Sequence, residues 1–374
     1  RSYSALAHSA PIFWMPAAVS GDESALGLAL IARDPLGLLS WQLDALQGLD
    51  SGEPDLTLSG SWRTLPAEIS GWLRRSPVKQ ASYIWDPTDA VYLYDGKRWR
   101  STTEGGLTLA VPIQLDGNGY SAQSYPWVGW VTRERGYGIG VDPAHLSWQR
   151  SRYNGVRAGV QYVRGRGAAR DPVSRHYLSA NLFGERNLPE SMSDLHAALI
   201  EARLRWHFPG PVNTTVLALT AAAQQQDYAL INFSRAGVRP RGYSDEHLDP
   251  AWIQGGRLAR VGAELHLPLL FPDWGWGMGA WYLQRITGLL FVEAADSWAR
   301  GTSHEPVSSL GAELVLRGTG LYKLPVTIRV GVAWRQRDRA VVPYLTWSLP
   351  LSAVSGGGNF AGRDDDALTG RGFR

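Results

Sequence analysis

Two carboxylates and one arginine are the residues of this chain whose types and spacing suggest chemistry. Glu264 lies in the alternating stretch RLARVGAELHLPL, and Glu293 lies in the apolar stretch ITGLLFVEAADSW about thirty residues on. Arg241 precedes both, in the polar loop GVRPRGYSDEHLDP. A carboxylate among apolar neighbours is costly unless it is paired. A planar guanidinium can bridge carboxylates from two strands through several donors, a geometry that Lys cannot reproduce. The chemistry is therefore non-covalent: a loop pinned inside something hollow. Arg241 is expected to fold back and meet Glu264, Glu293 or both. Gly242 would let the backbone turn tightly, while Tyr243 packs on an inner wall and its hydroxyl finds a partner.

Catalytic signatures are absent. The sequence has no Gly-x-Ser-x-Gly, no His-Glu-x-x-His and no P-loop, and GRGAA at 165–169 lacks a final Gly and a strand–helix context. The eight His are scattered; His207 and His266 fall on the polar faces of alternating segments, where a polar network is the plain reading. Asp364, Asp365 and Asp366 read as solvated charge rather than a calcium site. No enzyme activity, metal or cofactor is expected.

Composition narrows the class. The hydrophobic content is 44% of 374 residues, yet the mean hydropathy is −0.20. No run approaches the roughly 18 apolar residues of a spanning helix. Seventeen Trp and 15 Tyr stand against 8 Phe, a bias toward rings that sit at membrane–water interfaces. With no Cys, disulfides and thiolate sites are excluded. A net charge of +3 does not argue for nucleic acid. The chain starts at Arg1 without Met or signal peptide, as a mature form or a fragment would.

The elements that must position the three residues are strands. Leu39, Trp41, Leu43 and Ala45 share one face against Ser40, Gln42 and Asp44, after an Asp34-Pro35-Leu36-Gly37 turn. Ile200, Ala202, Leu204, Trp206 and Phe208 oppose Glu201, Arg203, Arg205 and His207. This period of two suits a closed barrel, apolar toward lipid and polar toward the lumen. Candidate strands are 24–33, 39–45, 56–64, 67–75, 98–112, 120–133, 138–150, 153–164, 173–183, 197–208, 212–222, 257–269, 284–298, 307–318, 325–335 and 340–350. Residues 75–98 read as a long extracellular loop with some strand extension. The segment LFPDWGWGMGAWYL reads as an interface hairpin or an additional strand. In 325–335, Val326, Ile328, Val330, Val332 and Trp334 are expected to face lipid.

The order of motifs resembles the outer-membrane assembly and translocation barrel superfamily, also called the bacterial surface antigen family, with its BamA-type insertases and two-partner-secretion translocators. That family has a loop Arg-Gly-Phe/Tyr, a strand ending Glu-x-x-x-Pro-Leu, and a strand Phe-Val-Asp-x-Gly. Here these are Arg241-Gly242-Tyr243, ELHLPL at 264–269, and Phe291-Val292-Glu293-Ala294-Ala295. Glu293 replaces the family's Asp and Ala295 its usual Gly. The early Asp-Pro-Leu-Gly turn also looks like barrels fused behind a TolB-like propeller.

The resemblance implies an all-β, transmembrane antiparallel β-barrel of about 16 strands, with a long extracellular loop folded into the lumen. Residues 1–22 would be a periplasmic lead-in, 23–351 the barrel and 352–374 a polar tail. It implies the bacterial outer membrane, with its lipid and lipopolysaccharide as surroundings, and a role in assembly, insertion or translocation of protein or lipid. Client recruitment would then fall to periplasmic subunits or a missing N-terminal periplasmic domain. The alternative is a plugged structural barrel anchoring an envelope complex, or a diffusion pore. Pro343 has no N–H to give to a ladder. It marks either a weak seam between the last strand and 24–33, or a non-bonding interfacial position.

Overall fold

The computed structural model describes residues 5, 9–19, 25–64, 66–86, 91–117, 119–135, 151–166, 173–189, 197–212, 214–227, 239–243, 248, 256–277, 281–298, 306–320 and 324–348. These residues hold eighteen strands and no helix. In chain order the strands are β1 (Pro11–Val19), β2 (Ala25–Arg33), β3 (Leu39–Gly48), β4 (Pro54–Thr64), β5 (Ala67–Asp86) and β6 (Val91–Ala110). They continue with β7 (Ile113–Gln114), β8 (Ser121–Arg135), β9 (Ser151–Arg166), β10 (His176–Asn187), β11 (Ala198–Pro209) and β12 (Val216–Gln226). The last are β13 (Arg257–Leu270), β14 (Trp274–Trp276), β15 (Trp281–Trp298), β16 (Val307–Gly320), β17 (Leu324–Arg335) and β18 (Val341–Ser348). The ladders between them are antiparallel.

The chain divides into two compact units. The first holds β1 to β6, with 127–157 and 186–196. Its strands pair in sequence order, and Asp34 closes the β2–β3 turn by accepting from the backbone N–H of Leu36 (3.0 Å) and Leu39 (2.5 Å). Gly37 completes that turn at φ +68°. The second unit holds 112–126, 158–185 and 197 onward. Here β11, β12, β13, β15, β16, β17 and β18 form a meander of neighbouring ladders, with β14 a short hairpin folded on the start of β15.

Alternation acts in the inverse of a soluble sheet. On β11, Ile200 is 61% exposed while Glu201 is 2% exposed. The same holds on β15, where Leu290 and Val292 are exposed and Phe291 and Glu293 are buried. On β17, Val330 and Val332 are exposed, against buried Gly331, Ala333 and Arg335. A face that is apolar and open, backed by one that is charged and closed, suits a sheet whose outer solvent is hydrocarbon.

Several expectations change. Two of the eighteen strands are only two and three residues long, so sixteen longer ones remain among the described residues, but they are not the sixteen expected. Residues 11–19, read as part of a lead-in, form β1 and pair with β2; PIFWMPAAV sets its apolar residues side by side and supplies no period of two. The candidate at 138–150 and the tail at 352–374 lie outside the described residues. Of residues 75–98, read as a long loop with some strand extension, 75–86 and 91–98 are strand: β5 and β6 are both 20 residues long and pair as far as Asp86 and Val91. Backbone pairing does not stop where the apolar pattern stops. Val326 keeps its parity but is buried, packed 3.3 Å from where a Cβ on Gly320 would stand.

Because the chain has no Cys, single cysteines can be placed and labelled without background. Labels at Val292 and Val332 should be quenched by lipid-borne probes after reconstitution, and labels at Ala333 should not. Val330→Arg should cost about 2–4 kcal/mol if that position lies at mid-bilayer, read as a lower midpoint of urea unfolding from lipid. Quenching with the opposite parity would sink the membrane reading.

Candidate functional site

The second unit gathers three glutamates onto one buried face. Glu264 comes from β13, Glu293 from β15 and Glu313 from β16, and each alternates with apolar neighbours that are exposed or half-buried. The ladders place Glu264 opposite Phe291, Gly262 opposite Glu293, and Glu313 opposite Leu289. Phe291 thus stands among the three, in a cluster with Leu289, Val315 and Ala333.

Arg241 enters from the connection between β12 and β13 and meets all three. Its guanidinium pairs with Glu264 through Nη2, and its Nε lies 3.5 Å from Glu293 and 3.3 Å from Glu313. Its backbone N–H donates to Glu293 Oε2 at 2.9 Å. The guanidinium carbon sits 4.4 Å from the Phe291 ring centroid, a cation–π contact. Burial works against the positive charge, and Glu264, Glu293 and Glu313 outweigh it, so Arg241 titrates above the usual arginine range.

Each carboxylate has a second partner. Arg260 Nη2 donates to Glu293 at 2.7 Å. His266 Nε2 lies 3.2 Å from Glu264, and Arg205 Nη2 is 3.7 Å away. Arg329 Nη1 donates to Glu313 at 3.1 Å, and the Tyr344 hydroxyl donates at 2.6 Å. Gly331 permits that last meeting: a Cβ there would stand 2.8 Å from both Glu313 Cγ and the Tyr344 ring. Beside this network, Arg205 Nε donates to His207 Nε2 at 2.8 Å, which leaves Nδ1 to donate to the Ser174 carbonyl at 3.1 Å.

The next two residues fasten the loop to β16 and β17. Gly242 adopts φ +85°, and a Cβ on it would lie 2.9 Å from that of Ala333. Its carbonyl accepts from Arg335 Nη1 at 3.1 Å. The Tyr243 hydroxyl donates to the Ser308 carbonyl at 3.0 Å and accepts from the Arg337 backbone N–H at 3.3 Å. Its ring packs with Leu248, Leu258, Ala295 and Val307.

The structure thus brings Arg241, Gly242, Tyr243, Glu264 and Glu293 together. Pro343 belongs elsewhere: it is exposed on β18, opposite Val332. Glu313, Arg329 and Tyr344 were not singled out from the sequence. The parity argument used for Glu293 reaches Glu313 as well, since Leu310 and Leu314 flank it on the exposed face. Among the described residues no three His, Asp or Glu side chains are grouped as a metal site would require. The arrangement can hold a loop; it presents no nucleophile–base pair.

Arg241→Ala leaves three buried carboxylates one cation short. Deleting one partner of a buried pair costs roughly 3–5 kcal/mol, and the loss here should fall at the lower end wherever water reaches the network. Arg241→Lys should recover less than half of it, because an ammonium cannot span three acceptors. Gly242→Ala should also destabilise, through its left-handed φ and the approach of Ala333. Loss of folded gel mobility on heating measures all three; an unchanged midpoint for Arg241→Ala would refute the anchoring role.

No family model matches the sequence, and no curated protein matches it either. Solved structures do. BamA from Haemophilus ducreyi, crystallised without POTRA domains 1–3, superposes with a TM-score of 0.57 at 14% identity, over 89% of this chain and 68% of that one. CdiB from Acinetobacter baumannii superposes with a TM-score of 0.51 at 14% identity, over 86% of this chain and 55% of that one. The chain spans little more than half the length of that CdiB. At such identity the likeness is one of fold, and the chain has the fold of the outer-membrane barrels to which BamA and the two-partner-secretion translocators belong.

Proposed function

We propose that this chain is a closed β-barrel of the bacterial outer membrane that acts in assembly, insertion or translocation of protein or lipid. One observation carries the reading: within a BamA-like fold, Arg241-Gly242-Tyr243 is fastened to β13, β15, β16 and β17 by the three glutamates and Arg335. In this reading the buried face is the lumen, and the connection between β12 and β13 is an extracellular loop folded into it. The held loop acts as a lid on the polar interior. The work requires no covalent step, so no enzyme activity is assigned. Periplasmic partners, or residues beyond this chain, recruit the client.

The same lock also suits a permanently plugged barrel that anchors an envelope complex, or a gated pore, because every carboxylate of the network is neutralised in the pinned state. One experiment separates the readings. Purified chain in liposomes is given an unfolded outer-membrane barrel as client, and protease-protected client is measured beside ion conductance. Assembly activity predicts protected client with the native chain and at least a tenfold loss for Arg241→Ala. A plug predicts no client protection in either, with conductance rising only in the variant.

A further inference from the structure

The exposed apolar face of the second unit is not uniform. Across β11, β12 and β13, Ala202, Ala223 and Ala259 stand opposite one another, and Ala221 follows between Leu204 and Val261. Farther along, the rows fill with larger groups: Trp206 opposite Leu219, then Phe208, Leu217 and Leu265. The alanines leave a groove of about 540 Å³, walled by Val160, Leu182, Leu204 and Val261. It runs from β9 to β13, four interstrand spacings, or about 19 Å. That is wider than one extended hydrocarbon chain.

A charge stands at the end of the groove. Arg257 opens β13 on the same face as Ala259, about 7 Å along the strand, with Gln225 and Trp298 as its cross-strand neighbours and the half-buried Asp296 opposite Ala259 on that face. It is exposed and forms no ion pair among the described residues. It directly follows the 30-residue connection from β12, and long connections mark the outer side of such barrels. Trp beside Arg is the pairing expected at a headgroup boundary. An apolar partner protein would gain nothing from a cation at that point, whereas a phosphate would.

We propose that this groove is a lipid site: it seats the acyl chains of a phosphate-bearing, multiply acylated lipid of the outer leaflet, with Arg257 on the phosphate. The site rests on the membrane reading above, and its test can fail separately. The full chain is reconstituted in nanodiscs of phosphatidylcholine containing a minor fraction of bisphosphorylated hexa-acyl lipid A, or the same lipid dephosphorylated. Lipid retained after detergent extraction is counted by native mass spectrometry.

The native chain should keep the phosphorylated lipid in preference to both others. Arg257→Gln should lower its retention about tenfold, the loss of one charge-assisted hydrogen bond. Ala223→Phe with Ala259→Phe should abolish retention with or without phosphate. Val332→Phe, on the exposed face of β17, should leave it unchanged, and Ala223→Leu supplies a milder filling if the double variant does not fold. Equal retention by the native and Arg257→Gln chains, or by the native and filled chains, overturns the site while the inserted barrel stands. A native chain that does not insert overturns the membrane reading and the site with it.

Discussion

A buried guanidinium shared by three carboxylates is the constraint on which the second unit depends. Neither side is tolerable alone. Three glutamates on one closed face repel one another, and a lone arginine there would be uncompensated. Together, with Arg260, Arg329, Tyr344 and His266 taking the remaining acceptor positions, they form a neutralised network. Such a network is weak evidence for raw stability, because desolvation offsets much of the attraction. What it supplies is uniqueness: one position of the loop gives each of the three carboxylates a cationic partner.

The network also fixes strand register. Glu264, Glu293 and Glu313 sit on three strands that are neighbours in the ladder, with Phe291 between them. Slipping any one strand by a single residue would turn its glutamate toward the apolar face and bring a Leu or Val inward. The penalty for a carboxylate in hydrocarbon makes that slip prohibitive. Loop and sheet therefore specify each other. The loop cannot dock until three strands are in register, and their glutamates lack the shared cation until it does.

Much of this was legible in the sequence because a sheet between lipid and a polar interior writes a strict period of two. Parity alone placed Glu264, Glu293 and Arg260 on one face and Leu290 and Val292 on the other. It failed where its physical basis is weak. In β1, PIFWMPAAV holds no polar residue and so gives no contrast between faces. In the distal halves of β5 and β6, turn-forming residues and aromatics interrupt the alternation, while backbone pairing continues. Glu313 was missed for another reason. Its alternation is as clean as that of Glu293, but the motif that drew attention to Arg241 names only two acids, and the third comes from the next strand along. Tyr344 depends on Gly331 yielding space across a ladder, a fact of packing that no single strand reveals.

The β5–β6 hairpin has a reach that the other strands lack. Twenty residues at about 3.3 Å each extend roughly 66 Å, whereas a tilted strand crosses hydrocarbon in about 9–11 residues. β5 leaves its ladder with β4 after Arg75, and β6 joins β8 only from Thr102. Among the described residues, the intervening ribbon is paired only with itself, which leaves its two outer backbone edges without a ladder there. In a membrane-embedded protein such a ribbon stands clear of the headgroups as an antenna. Its edges offer main-chain hydrogen bonds to any extended peptide that reaches it. Lys79, Lys97, Arg98 and Arg100, strung along its sequence, are the kind of residues that keep an open edge from recruiting its own copies. An encounter from the aqueous side would thus begin on this arm, before it reached the β4 and β8 ladders at its base.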